Sequence, residues 1–238
     1  MVTELHKADT RGHADHGWLD SWHTFSFAGY HNPERMHFGA LRVLNDDSVA
    51  PGMGFGKHPH NNMEIVSIPL EGDLEHGDSM GTIAVIKEGD VQVMSAGTGI
   101  IHSEKNKNAD RQVKFLQIWV FPNKNNVQPR YDQKSFSPDE KHNKLATVVS
   151  PLGTNDGGVQ LHQDAWFYLS KLDAGKELNY EINKKGNGVY AFVLEGDIKI
   201  GENELHRRDG LGISDFDTFT IHAISSCEIL LMEVPMNY

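Results

Sequence analysis

Short apolar or alternating runs, each closed by Gly, Asp or Asn, recur along the whole chain. They fall at 39–44, 64–68, 82–86, 91–94 and 114–121, then at 165–169, 189–194, 197–200 and 228–234. Strict alternation marks a strand with one face buried, and a short continuous apolar run marks a strand buried on both faces. Many such strands at regular spacing predict an all-β chain built as a sandwich or barrel. No long helical period competes with them. One short helix is expected after Ser137-Pro138, where serine can cap and proline can occupy the first turn.

The pattern breaks once. Residues 122–144 are polar and carry Pro122, Pro129 and Pro138, which reads as a connection between two domains divided near residue 135, giving 1–135 and 136–238. An internal repeat agrees. Leu70-Glu-Gly-Asp73 returns as Leu194-Glu-Gly-Asp197, 124 residues on, each copy ending one apolar run and opening the next.

Within the first half, two pairs of metal-ligand side chains share one spacing. His58 and His60 lie in Gly-Phe-Gly-Lys-His-Pro-His, and His102 and Glu104 in Gly-Thr-Gly-Ile-Ile-His-Ser-Glu. Residues i and i+2 of a strand point to the same face, so each pair can aim at one point. If the two strands face each other inside a barrel, three imidazoles and a carboxylate converge. That donor set suits a divalent first-row ion: Fe(II), Ni(II), Mn(II), Cu(II) or Zn(II). Neither pair has a cysteine nearby, which favours an open, reactive site over a closed structural zinc. At the same offset of 124, Ile182 and Lys184 stand against His58 and His60; downstream, Thr-Ile-His222 resembles Ile-Ile-His102 at an offset of 120, which sets Ile224 against Glu104. The second half therefore keeps at most one ligand.

Other residues are weighed against this set. Glu64, four positions after His60, is either a further ligand or a supporting or surface carboxylate. His76 faces either the pocket or solvent. His13, His16 and His23, with Trp18 and Trp22, read as an aromatic segment covering the barrel. Met94, Phe115 and Ile118 are candidates to flank a flat substrate.

Composition narrows the function classes. Lys and Arg number 22 against 33 Asp and Glu, a net charge of −11, which argues against binding nucleic-acid phosphates. The single cysteine, Cys227, excludes an intrachain disulfide and reads as a small core residue on a strand. There is no apolar run long enough for a membrane helix and no signal-like start, so a cytoplasmic protein is expected. A monomer is expected as well.

Longer motifs carry a family resemblance. Gly52 through His58-x-His60-x3-Glu64, followed by Gly89 through Gly97-x-Gly99-x2-His102, resembles the two cupin motifs, with Gly97 in place of the usual proline and a longer spacing from Gly89. Together with His-Gly-Trp18-Leu-Asp-Ser-Trp22-His-Thr-Phe-Ser-Phe27, Leu41-Arg-Val-Leu-Asn-Asp-Asp47 and Gln117-Ile-Trp-Val, these segments resemble the pirins, above all the bicupins described as quercetin 2,3-dioxygenases. The resemblance implies two packed cupin (jelly-roll) barrels. It implies one divalent ion, Fe(II) first among the candidates, on His58, His60, His102 and Glu104 of the N-terminal cupin, and none on the C-terminal one. In the general cupin motif Glu64 would be a ligand; in pirins that role passes to Glu104. Cleavage of a quercetin-like flavonol by dioxygen with release of carbon monoxide is the implied activity, with Glu104 as proton acceptor. The alternative is a non-enzymatic metal or redox sensor that acts through protein partners as a transcriptional or metabolic cofactor.

Overall fold

Alternation along one strand sets out the architecture. In Val113–Val120, Phe115, Gln117 and Trp119 turn to one side, and Leu116, Ile118 and Val120 to the other. The first set enters the interior of a barrel; the second joins a cluster of 26 buried residues that also holds Phe167, Phe192, Leu230 and Met232 from the second half of the chain. Two barrels thus stand back to back and share their largest apolar core. The computed structural model describes residues 1–238.

Each barrel is a seven-stranded sheet opposed by a four-stranded one. In the first, the large sheet runs from Arg130–Ser135 through Asp90–Ser95, Glu64–Glu71, Val113–Val120, Leu41–Val49 and Leu19–His23 to Gly12–Asp15. Its small sheet is ordered Gly54–His60, Ile100–Asn106, Leu74–Asp78 and Ile83–Ile86. The second barrel repeats this plan, with Asn187–Glu195 and Cys227–Pro235 at the centre of its large sheet. The repeated Leu-Glu-Gly-Asp turns occupy equivalent corners: Gly72 and Gly196 leave their strands at φ +78° and +77°, a conformation that glycine adopts without penalty.

Three features depart from the pattern read along the chain. Part of the polar stretch 122–144 is a strand: Arg130–Ser135 pairs with Asp90–Ser95. It lies at the sheet edge, where polar side chains are tolerated and protect the edge from other chains. Val2–His6 pairs with Gly210–Ser214 of the second barrel. It covers an edge there, and Lys7 seals the crossing by an ion pair with Asp209 at 2.7 Å. Finally, the 124-residue offset does not extend to the strands equivalent to Gly54–His60 and Ile100–Asn106, which are Glu177–Glu181 and Thr218–Ala223. His222 pairs with Glu177, is exposed, and hydrogen-bonds Glu177 at 2.9 Å, so it lies outside the second barrel. Ile182 packs against the core, and Lys184 pairs with Asp164 at the surface.

The short helix forms at Pro138–Lys141, its start held by the Glu140 carboxylate accepting the Ser137 amide at 2.7 Å. Cys227 is buried, and burial raises its thiol to about 11, so it stays protonated. No helix is long and apolar enough to cross a membrane.

The two barrel interiors differ in kind. The second is filled by one continuous cluster of 16 buried residues, among them Ile198, Ile200, Ile213 and Phe219. In the first, the apolar interior is split into groups of 6 and 4. Between them lie Ser67, Gln117, Asn45, Asp47 and Glu104, all buried. Burying unpaired polar groups costs free energy that apolar packing would not, so this break in the core marks a site.

Candidate metal centre

Gly54–His60 and Ile100–Asn106 are hydrogen-bonded neighbours in the small sheet, with His58 opposite His102 and His60 opposite Ile100. They do not face each other across the barrel, as the spacing alone suggested; adjacency in one sheet brings the side chains together. Nδ1 or Nε2 atoms of His58, His60 and His102 all lie within 4.8 Å of one another. Ring centroids are 4.4 Å apart for His58 and His102, and 4.9 Å for each other pair.

Hydrogen bonding leaves these rings with unused nitrogens. His58 Nδ1–H donates to the Gly56 carbonyl at 2.7 Å, which leaves its Nε2 lone pair free. His60 Nε2 and both nitrogens of His102 are buried without a partner. Burial, and then the neighbouring imidazoles, lowers His60 to about 4 and His102 to about 3, so both are neutral at physiological pH. Neutral, gathered and unpaired imidazoles fit a transition metal and fit little else.

Glu104 stands outside this 4.8 Å group. A bulge separates it from His102 and sets it opposite Phe55. Ser67 donates to one carboxylate oxygen at 2.9 Å, and the Gln117 amide donates to the other. Burial pushes its carboxyl up, and Ser67, then His76, His58 and Gln117, pull it back down. A carboxylate offers about four lone-pair directions, so both oxygens can keep these donors and still take a further partner.

His58, His60 and Glu104 line a cavity of about 690 Å³. Its aromatic walls are His23, Phe27, Tyr30, Phe55 and Trp119, and its polar wall is Ser21, Asn45, Asp47 and Gln117. Burial raises Asp47 to about 7, while its bond from Ser21 pulls the other way.

Residues 4–120 match the family model of pirin, and residues 147–234 that of the quercetinase C-terminal cupin domain. The chain belongs to the pirin family. It is 45% identical to the quercetin 2,3-dioxygenase of Escherichia coli K12 over 97% of this chain and 98% of that protein. It is 37% identical to a pirin-like protein of Caulobacter vibrioides, over 94% and 96%. The crystal structure of the bacterial pirin YhhW from Escherichia coli in complex with nickel(II) superposes with a TM-score of 0.93 at 43% identity, covering 98% of this chain and 99% of that one.

In this pirin several residues sit elsewhere than the sequence suggested. Glu64 is neither a ligand nor a surface group. It turns with Val66 and Ile68 to the face between the barrels, accepting Ser95 Oγ–H at 2.7 Å and the His162 amide of the second barrel at 3.1 Å. The chain bends at Asn62, with φ +46°, as it leaves the small sheet for the large one, which sets Glu64 on this outer face. His76 is buried behind His102, their rings 5.5 Å apart, and is held by Asp78 at 2.9 Å. Ile118 lies in the core between barrels, and Met94 and Phe115 pack in the small clusters beside the site; none of the three lines the cavity. His13, His16 and His23 do line it. The wall residues Ser21, Asn45 and Asp47 carried one signal, polar residues at inward-facing strand positions, and Tyr30, in the loop before Leu41–Val49, carried none.

Close backbone approach explains one glycine. A Cβ on Gly54 would collide with the Glu104 carbonyl oxygen and come within 2.5 Å of Lys105 Cα. Gly54→Ala is expected to push the His-Pro-His strand off its neighbour and weaken metal binding about tenfold or more. Isothermal titration with Ni(II) reads this; unchanged affinity would show that the strand pair does not set the ligand geometry.

Proposed function

We propose that this protein holds one divalent transition metal on His58, His60, His102 and Glu104 and uses it to cleave a quercetin-like flavonol with dioxygen. The reading rests on one observation above others: three imidazoles gathered beside an aromatic-lined cavity, those of His60 and His102 neutral and with buried nitrogens that have no partner. The nickel(II) complex of the bacterial pirin and the activity named for the Escherichia coli relative support it. Fe(II) is the expected resident ion, and residues 1–135 are the domain that carries it, with 136–238 free of ligands.

A divalent ion there supplies Lewis acidity and redox capacity. The chain supplies the rest. Glu104, oriented by Ser67 and Gln117, accepts the proton of the flavonol 3-hydroxyl. Trp119 and Phe27, ring centroids 5.4 Å apart at 87°, give a flat ring an aromatic wall and keep water from it. One dioxygen is consumed per ring opened. C3 leaves as carbon monoxide with its own hydroxyl oxygen, both atoms of dioxygen enter the opened ester-acid at the carbons that flanked C3, and the proton held by Glu104 returns to that product.

A second reading, a metal-responsive regulator that binds a protein partner, is favoured by the outer face of the small sheet. Ile83 is 80% exposed there, and Ile101 and Met53 border the same groove of about 800 Å³. Oxygen uptake with quercetin, run alongside elemental analysis of the natively expressed protein, separates the two. Carbon monoxide equimolar with oxygen consumed is expected. None, with any of Fe, Ni, Mn, Cu or Zn, would overturn the dioxygenase and leave the regulator.

A further inference from the structure

Strand register draws a polar row across the inner face of the first barrel's large sheet. Gln117 lies opposite Ser67 on one side and Asn45 on the other, and Asn45 lies opposite His23. One step along, Asp47 lies between Phe115 and Ser21. The row starts beneath Glu104, which Ser67 and Gln117 both touch, and ends two strands further on at Ser21 and His23. At about 4.8 Å per strand, Asn45 and Asp47 lie one strand, about 5 Å, across from Gln117 and Phe115, and Ser21 and His23 lie two strands, about 10 Å, across; these four make up the far end.

The far end is buried and under-partnered. Asp47, Ser21, His23 and Asn45 are each no more than 3% exposed, yet all four line the cavity. Ser21 has one hydroxyl proton. It donates this to one Asp47 oxygen, so its bond with His23 Nε2 at 2.8 Å runs from the imidazole to Ser21. Nothing in the chain bonds the other Asp47 oxygen, and Asn45 Oδ1 and His23 Nδ1 are buried without partners. A carboxylate with a single hydroxyl to satisfy it is costly to bury, and an apolar residue would serve packing better, as the filled interior of the second barrel illustrates. The unmet capacity is for O–H donors.

We propose that Asp47 binds a phenolic hydroxyl of the substrate on a ring remote from the metal, with Ser21 as the positioning residue that holds it. This rests on the flavonol reading and deepens it: the site would select polyhydroxylated flavonols over those bearing only the 3-hydroxyl. Asn45 and His23 continue the same acceptor surface.

Anaerobic titration of the Ni(II)-loaded protein, read by quenching of tryptophan fluorescence, tests this without turnover. The probes are quercetin and 3-hydroxyflavone, which lacks the remote hydroxyls. Asp47→Ala is expected to raise the Kd for quercetin about tenfold and that for 3-hydroxyflavone less than about twofold. Asp47→Asn, which keeps an acceptor and a donor, should restore most of the difference. Ser21→Ala, which leaves the carboxylate in place but unheld, should give a smaller loss with the same selectivity. Equal weakening of both probes, or of neither, overturns the assignment to Asp47 while the flavonol reading stands. If wild type binds neither probe, the flavonol reading itself falls, and this assignment with it.

Discussion

Alanine at both His58 and His102 is expected to bring bound divalent metal from about one ion per chain to less than about a tenth of that, as read by elemental analysis after dialysis. These rings face each other across the paired strands, and removing both leaves only His60 of the gathered imidazoles. The variant should remain folded. Its two barrels share a 26-residue apolar core and the second holds another 16, and both clusters are left intact by these substitutions, so the melting temperature should stay within about 5 °C of the metal-free wild type. Full metal occupancy in this variant would show the ligand assignment to be wrong. Loss of native circular dichroism would instead make the metal a structural element.

Glu104→Gln should slow flavonol consumption about a hundredfold or more while the protein keeps its fold and much of its metal. The local hydrogen bonding explains why the substitution is tolerated. A glutamine carbonyl at this position can still accept the Gln117 amide, and the Ser67 hydroxyl can turn round to accept from the new amide. What disappears is the negative charge and the basicity. The comparison must be made at equal metal content, with carbon monoxide as the measured product. Turnover matching wild type at equal loading would remove Glu104 from the role of base, and loss of metal without loss of turnover per bound ion would make it a ligand only.

Much of the site was legible along the chain because strands have a period of two. His58 with His60, and His102 with Glu104, announce a shared face by spacing alone, and the Gly-rich segments before them mark where the backbone must turn. The strands themselves, the duplicated Leu-Glu-Gly-Asp corners and the capped helix at Ser137 follow from local patterns of the same kind. Such features depend on neighbours a few residues away, and so a linear reading reaches them.

Other features depend on which strands lie side by side, and local pattern does not encode that. Whether Glu64 meets the metal or the second barrel was decided by one bend at Asn62. His222 faces solvent between the inward-facing Ile221 and Ala223, a choice of face that a match in sequence does not carry. The N-terminal strand Val2–His6 closed an edge more than 200 residues away. Above all, Ser21, Asn45, Asp47 and Gln117 belong to three strands separated in sequence, and only the register of the large sheet sets them in adjoining rows. The sequence by itself determined an all-β duplicated chain with a histidine-rich pocket in its first half. The tertiary structure alone decided which barrel interior was filled with apolar side chains and which kept a polar row. A strand's alternation says that a residue faces inward, but only packing against a particular neighbour says what it meets there.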